Sequence, residues 1–154
     1  MLEAIKNRHS VRSFSDKPIE EEKLKEILDA AESAPSAGGL MARTVIAVRK
    51  IERKRKLVEA SSFQEFIAEA PVVLVFFTQP RESERKYGKI GKRLYCIQDS
   101  TISASFAWLE AINQGLGACW IGAFSEAEVK TILKVKQDWR PICIMPIGYE
   151  KLCQ

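Results

Sequence analysis

Histidine and cysteine are too scarce and too scattered in this chain to build a metal cage. There is one histidine, His9, and the four cysteines at 96, 119, 143 and 153 include no CxxC pair, so the ligand spacing of a zinc site is missing. Cys96, Cys119 and Cys143 sit in apolar runs and read as small core residues. A long apolar run is lacking as well. The most apolar stretch, Tyr95 to Phe124, is interrupted by Gln98, Asp99, Glu110 and Asn113 and is not a membrane span. Met1 to Arg8 carries charge with no apolar block behind it, so no secretory leader is expected, and a cytoplasmic home with reduced thiols is. Charge of one sign is only mildly in excess: 24 Lys and Arg stand against 20 Asp and Glu, a formal +4. The basic residues lie in local clusters. Around Arg81 to Arg93 aromatics are sparse and no recognition motif occurs, so nucleic acid is not an expected partner.

What is there suits one globular domain over residues 1–154, long enough for a real core. Leu2 to Asn7 predicts a short helix with Leu2 and Ile5 inward. Glu20 to Ala34 predicts an amphipathic helix with Leu24, Ile27, Leu28 and Ala31 on one face, stopped by Pro35. Strands are expected at 44–48, 72–77, 118–124 and 142–147, the second a continuous apolar run. Charged and short helices fill 49–60 and 62–69. The polar stretch 79–93 reads as a long loop or a poorly packed helix. Tyr95 to Ile112 reads as a helix apolar nearly all round, hence a core helix, capped at Gly115. Ser125 with Glu128 reads as a capping box. Strands separated by helices leave a parallel α/β sheet open as an alternative.

Three short stretches can carry chemistry. Arg8-His9-Ser10-Val11-Arg12-Ser13-Phe14 gathers guanidinium forks and hydroxyls that suit a phosphate; taken in isolation, such a cluster reads more simply as a solvated basic turn. Pro35-Ser36-Ala37-Gly38-Gly39 offers bare backbone to a flat ligand, or is a flexible connector, and Arg43 beside it could reach the same ligand or face water. Gly122, placed in a predicted strand, marks a close approach of another backbone or a ligand, or a bulge.

These stretches, taken in order, resemble the nitroreductase family. Arg8 to Phe14 is similar to its opening motif and Ala34 to Gly38 to its second. Tyr87-Gly88, Gly91, Leu94-Tyr95, Gln98-Asp99 and Gly115 to Phe124 resemble the third block of compact members, and Pro141 to Tyr149 the closing strand. The resemblance implies an α+β fold, a mainly antiparallel sheet wrapped by helices, in an intertwined homodimer. It implies FMN at each interface. Arg8, His9, Ser10 and Arg12 would grip the phosphate and ribityl chain. Pro35, Ser36, Ala37, Gly38 and Gly39 of the partner subunit would flank the ring, and Ile121 and Gly122 would line its other side. NADH or NADPH would donate electrons, and a nitroaromatic, quinone or similar small acceptor would receive them, with no catalytic acid, base or nucleophile from the protein. A flavin-binding or carrier protein with little turnover is the alternative, and a structural dimer without flavin a third reading. Gly39, Met41 and Ile90 depart from the family's usual asparagine, glutamine and arginine, and the tail is short, with Lys151 its one basic residue.

Overall fold

The apolar run from Val72 predicts a strand buried on both faces, and in the computed structural model, which describes residues 1–151, it is the inner strand β2 (Val72–Thr78), buried at every position. Its side chains alternate between two cores: Val73, Val75 and Phe77 enter one, and Val72, Leu74 and Phe76 the other. That is the period of two that a pleated strand imposes. Burying a side chain such as Phe76 or Leu74 contributes about 1.5–3 kcal/mol. β1 (Arg43–Val48) and β4 (Arg140–Gly148) flank β2, and short β3 (Gly117–Ala118) pairs with the far side of β4. All three pairings are antiparallel, so the fold is α+β and the parallel alternative is excluded. The register slips between Phe76 and Phe77, opposite Cys143 and Pro141, where proline has no N–H for the ladder.

Helices α2 (Glu21–Ser33) and α6 (Cys96–Asn113) cover one face of the sheet. α3 (Ile51–Ala60), α4 (Phe66–Glu69) and α7 (Glu126–Leu133) cover the other. α1 (Glu3–Asn7) and α5 (Pro80–Ile90) lie outside these layers. Ser125 caps α7 by accepting the Glu128 N–H, and Gly115 takes the left-handed conformation (φ 76°) behind α6. Cys96, Cys119 and Cys143 are buried free thiols; Cys153 lies outside the described residues. No helix among those residues is long and apolar enough to cross a membrane.

Three expectations are corrected, and for 79–93 the helix is decided over the loop. α6 is not apolar on all sides of a core. Its inward face is small, with Ser100, Ser103, Ala104, Ala107 and Ala111 buried, while Phe106 is 39% exposed. Small residues bring the helix close enough for Ser100 to donate to the Phe77 carbonyl and Ser103 to the Ala31 carbonyl. Leu2 and Ile5 do not point inward; they are 70% and 47% exposed. The 79–93 stretch is helical, because Pro80 at the first turn suits α5 and a π-helical turn, Gly91–Tyr95, joins it to α6. The strand expected over 118–124 ends at Ala118, with one further bridge, Ile121 to Ile144. Gly122 therefore lies beyond the sheet, exposed.

Candidate functional site

The Arg8–Phe14 arm is pinned by its apolar residues, which leaves its charged ones free. Val11 and Phe14 are buried. The Val11 N–H donates to the Ala118 carbonyl at 3.0 Å, and Ser15 N–H to the Tyr149 carbonyl at 2.9 Å. A β-carbon at Gly117 would sit 2.5 Å from a Val11 methyl, so only glycine lets the arm lie this close to β3. Arg8 and Arg12 remain exposed, with Ser10 half-buried between them. The Arg8 guanidinium stacks 4.8 Å from the Trp108 ring centre on α6, which fixes its direction. Among the described residues, neither arginine has a carboxylate within 4.0 Å. Burial raises the pKa of the Cys119 thiol, and the Arg12 charge and the Ser10 hydroxyl act against that rise.

His9 is turned the other way along the arm. Nδ1 faces the Asn7 carbonyl at 3.2 Å and Nε2 the Glu150 carboxylate at 3.0 Å. Both partners are acceptors, so only the imidazolium can donate to both. The Asn7 carbonyl, then the Glu150 carboxylate, raise its pKa above the ordinary 6.5, against the weaker opposition of desolvation and Arg8. A raised folded pKa means that the contact contributes fully below pH 6.5 and is lost as pH climbs through the higher folded value. Since His9 is the sole histidine, a proton NMR titration should show one imidazole titrating above 6.5, and Glu150→Gln should lower that value. An unchanged midpoint in the variant would remove Glu150 as the cause.

The Pro35–Gly39 loop is held by buried charge. α2 ends at Ser33, and the chain turns extended at Ala34. Asp99, 2% exposed, accepts the Ala37 N–H at 2.8 Å through Oδ1, while its buried Oδ2 has no partner among the described residues. Arg43, expected at a strand edge facing ligand or water, is instead 8% exposed and donates to the carbonyls of Ala31, Glu32, Ala34 and Pro35. It is the cap of α2. Gly38 is left-handed (φ 59°), and a β-carbon there would meet the Tyr87 hydroxyl at 2.3 Å. Next to Gly39 a β-carbon would find open space, and the Met41 sulfur takes the Ser36 hydroxyl at 3.6 Å.

Pro35, Ser36 and Ala37 line a groove of about 750 Å³ with Tyr87, Tyr95 and Asp99. Ile97 and Thr101 on α6 separate it from a smaller cavity of about 260 Å³ lined by Gly122, Trp120 and Arg140. Ile121 is buried, exchanging both backbone hydrogen bonds with Ile144, so it offers no side chain. Thus the loop and Gly122 line two cavities that share only Ile97 and Thr101, and the loop and Arg8 are apart in one chain. The loop touches α6 at Asp99 and the arm touches it at Trp108, about 13 Å further along the helix at 1.5 Å per residue. Reading the residues alone misses Lys86, Trp108 and Glu150, and misreads Arg43, which caps α2 and faces neither ligand nor water. Tyr87, Tyr95 and Asp99 stand inside the third motif block, which was the available signal for them.

A sheet covered on both faces, a basic arm and a glycine loop over an open groove define a small α+β protein with a site built mainly of backbone and cations. Residues 5–62 and 50–149 match the model of the nitroreductase family, and the chain belongs to that family. A protein named NADH dehydrogenase from Thermus thermophilus is 43% identical over 173 residues, spanning 95% of this chain and 84% of its own. Among solved structures, an FMN-dependent nitroreductase from Clostridium difficile superposes with a TM-score of 0.85 at 30% identity, covering 100% of this chain and 90% of the other. A nitroreductase family protein from Clostridium novyi gives 0.88 at 28% identity, covering 97% and 84%.

Proposed function

We propose that this single-domain chain is an FMN-dependent oxidoreductase that takes electrons from NADH or NADPH and passes them to a nitroaromatic, quinone or similar small acceptor. The observation that carries the reading is the arm: two exposed guanidiniums with no carboxylate partner among the described residues, and a hydroxyl between them. That donor set fits a phosphate monoester. The relatives named for FMN and for NADH point the same way.

When bound, FMN would supply the electron-transfer chemistry. The chain's own residues would bind and orient. Arg8, Ser10 and Arg12 would hold the phosphate, with His9 beside them. Pro35 to Gly39 would offer small side chains and backbone to one side of the ring, and Gly122 backbone to the other; Ile121, expected beside it, has both its N–H and its carbonyl engaged by Ile144 and serves to hold Gly122 in place. No side chain is assigned as acid, base or nucleophile.

The reading includes a homodimer. Loop and arm are apart in one chain, and a second copy can supply the missing half. Leu2, Ile90, Leu94 and Phe106, all more than a third exposed, give an apolar surface for it to cover. The acceptor is a small molecule, and the buried thiols suit a reducing cytoplasm. One observation favours the second reading, a flavin carrier with little turnover: at Gly39 and Met41 the loop offers no polar side chain to a ring.

A visible absorption spectrum of the purified protein with FMN, then with NADH or NADPH under anaerobic conditions, tests this. Bound flavin that bleaches supports the oxidoreductase. Bound flavin that stays oxidised favours the carrier, and no bound flavin overturns both.

A further inference from the structure

The chain's excess positive charge falls in the segment that supplies Tyr87 and Tyr95 to the groove beside the Pro35–Gly39 loop. From Pro80 to Tyr95 there are six basic side chains and two acidic ones, an excess of +4 that equals the formal charge of the whole chain. Three of the six are neutralised: Arg81 by Asp138 at 3.4 Å, Arg85 by Glu82 at 2.9 Å and Lys92 by Glu84 at 3.0 Å. Lys86, Lys89 and Arg93 are exposed, and none has a carboxylate within 4.0 Å among the described residues.

Lys86, though exposed, lies back against the loop. Its ammonium lies 5.5 Å from the Tyr87 ring centre and would be 2.7 Å from a β-carbon at Gly38. It therefore stands at the mouth of the groove, between the loop and the aromatic wall. In that wall Tyr87 meets Tyr95 edge to face, with centroids 5.2 Å apart and planes at 82°, a favoured arrangement for an aromatic pair. Pro35, Ile97 and Ile102 complete an apolar slot. The one acid lining the slot is Asp99, and its charge is offset by the Ala37 N–H and by nearby buried Arg43. An apolar, aromatic-walled slot with an unneutralised cation at its mouth takes a flat ring with an anionic substituent.

We propose that Lys86 is a specificity-determining residue that makes the groove select planar aromatic acceptors bearing a negative charge. The word acceptor rests on the oxidoreductase reading; the binding selectivity does not. Binding of 4-nitrobenzoate and 4-nitrobenzamide, the same ring with and without charge, is measured without electron donor, with and without FMN. Rates with NADH are measured separately. The benzoate should bind about 3- to 10-fold more tightly at low ionic strength and lose that advantage as salt is added. Lys86→Gln should remove the preference and Lys86→Arg keep it; both changes are on an exposed side chain. Equal binding of the two compounds, or a preference untouched by Lys86→Gln, overturns the proposal. A benzoate preference with no turnover of either compound leaves the proposal standing and sinks the oxidoreductase reading instead.

Discussion

Arg8→Ala combined with Arg12→Ala is expected to weaken FMN binding by about 10²- to 10⁴-fold while changing riboflavin affinity only a few-fold. The magnitude follows from two charge-assisted hydrogen bonds of about 1.5–3 kcal/mol each, with tenfold in affinity for every 1.4 kcal/mol. Riboflavin keeps the ring and the ribityl chain but has no phosphate, so the comparison isolates the arm. Both arginines are exposed, and substitution there touches no core residue, so thermal unfolding should shift little. Arg8 also covers the face of Trp108, and the single variants should separate that stacking from the pull of Arg12. Flavin fluorescence quenching gives both affinities. Equal losses for FMN and riboflavin would mean that the arm holds something other than phosphate. An unchanged FMN affinity would remove the arm from the site and take the proposed function's main support with it.

The arm was legible as an exposed basic cluster because its signal is local: two arginines, a histidine and a serine fall within five residues, and both arginines are exposed in the structure. The same residues also read as a solvated basic turn, so the anion site itself is what the flavin comparison tests. β2 was legible for a similar reason, since an unbroken apolar run can only be buried on both faces. The α6 reading failed because composition does not give direction. Phe106 and Ile102 look like core residues until Ser100, Ser103 and Ala107 are seen to take the inward face, where only small side chains let helix and sheet approach. Under the proposed homodimer, large apolar residues on an outer face would meet the second chain, and one sequence does not mark which apolar residues those are. Leu2 and Ile5 failed in the same way: an apolar residue was placed inward and is exposed. At Gly122 the position was marked but not its setting: the sheet ladder stops four residues earlier, at Ala118, and the glycine borders a cavity instead. Arg43 was the deepest miss. Its partners are carbonyls at 31, 32, 34 and 35, and backbone acceptors leave no trace in a sequence.

Arg43→Met should destabilise the protein by about 3–5 kcal/mol, the range for breaking a buried charge arrangement by removing one member. Methionine keeps the bulk of the stem but none of the donors. The last carbonyls of α2 carry the negative end of the helix dipole and have no helical partner of their own; Arg43 satisfies them from β1. Its removal also takes the Arg43 charge from Asp99, whose own charge counters the desolvation that pulls the Arg43 pKa down. Asp99 would then be a buried carboxylate with one oxygen unpaired and without that buried cation. The two residues hold opposite ends of one loop, Arg43 at Ala34 and Pro35 and Asp99 at Ala37. Their effects should therefore not add. In urea denaturation, the double variant Arg43→Met with Asp99→Asn should be more stable than the sum of the single losses by about 0.5–3 kcal/mol. Strict additivity would show that Arg43 acts only as a helix cap. A loss below 1 kcal/mol for Arg43→Met would show that water replaces it at those carbonyls. If both act on the loop, each single variant that still folds should also bind flavin more weakly. Neither side chain would need to touch the ring, because the Pro35–Gly39 backbone they fix is the surface proposed to meet it.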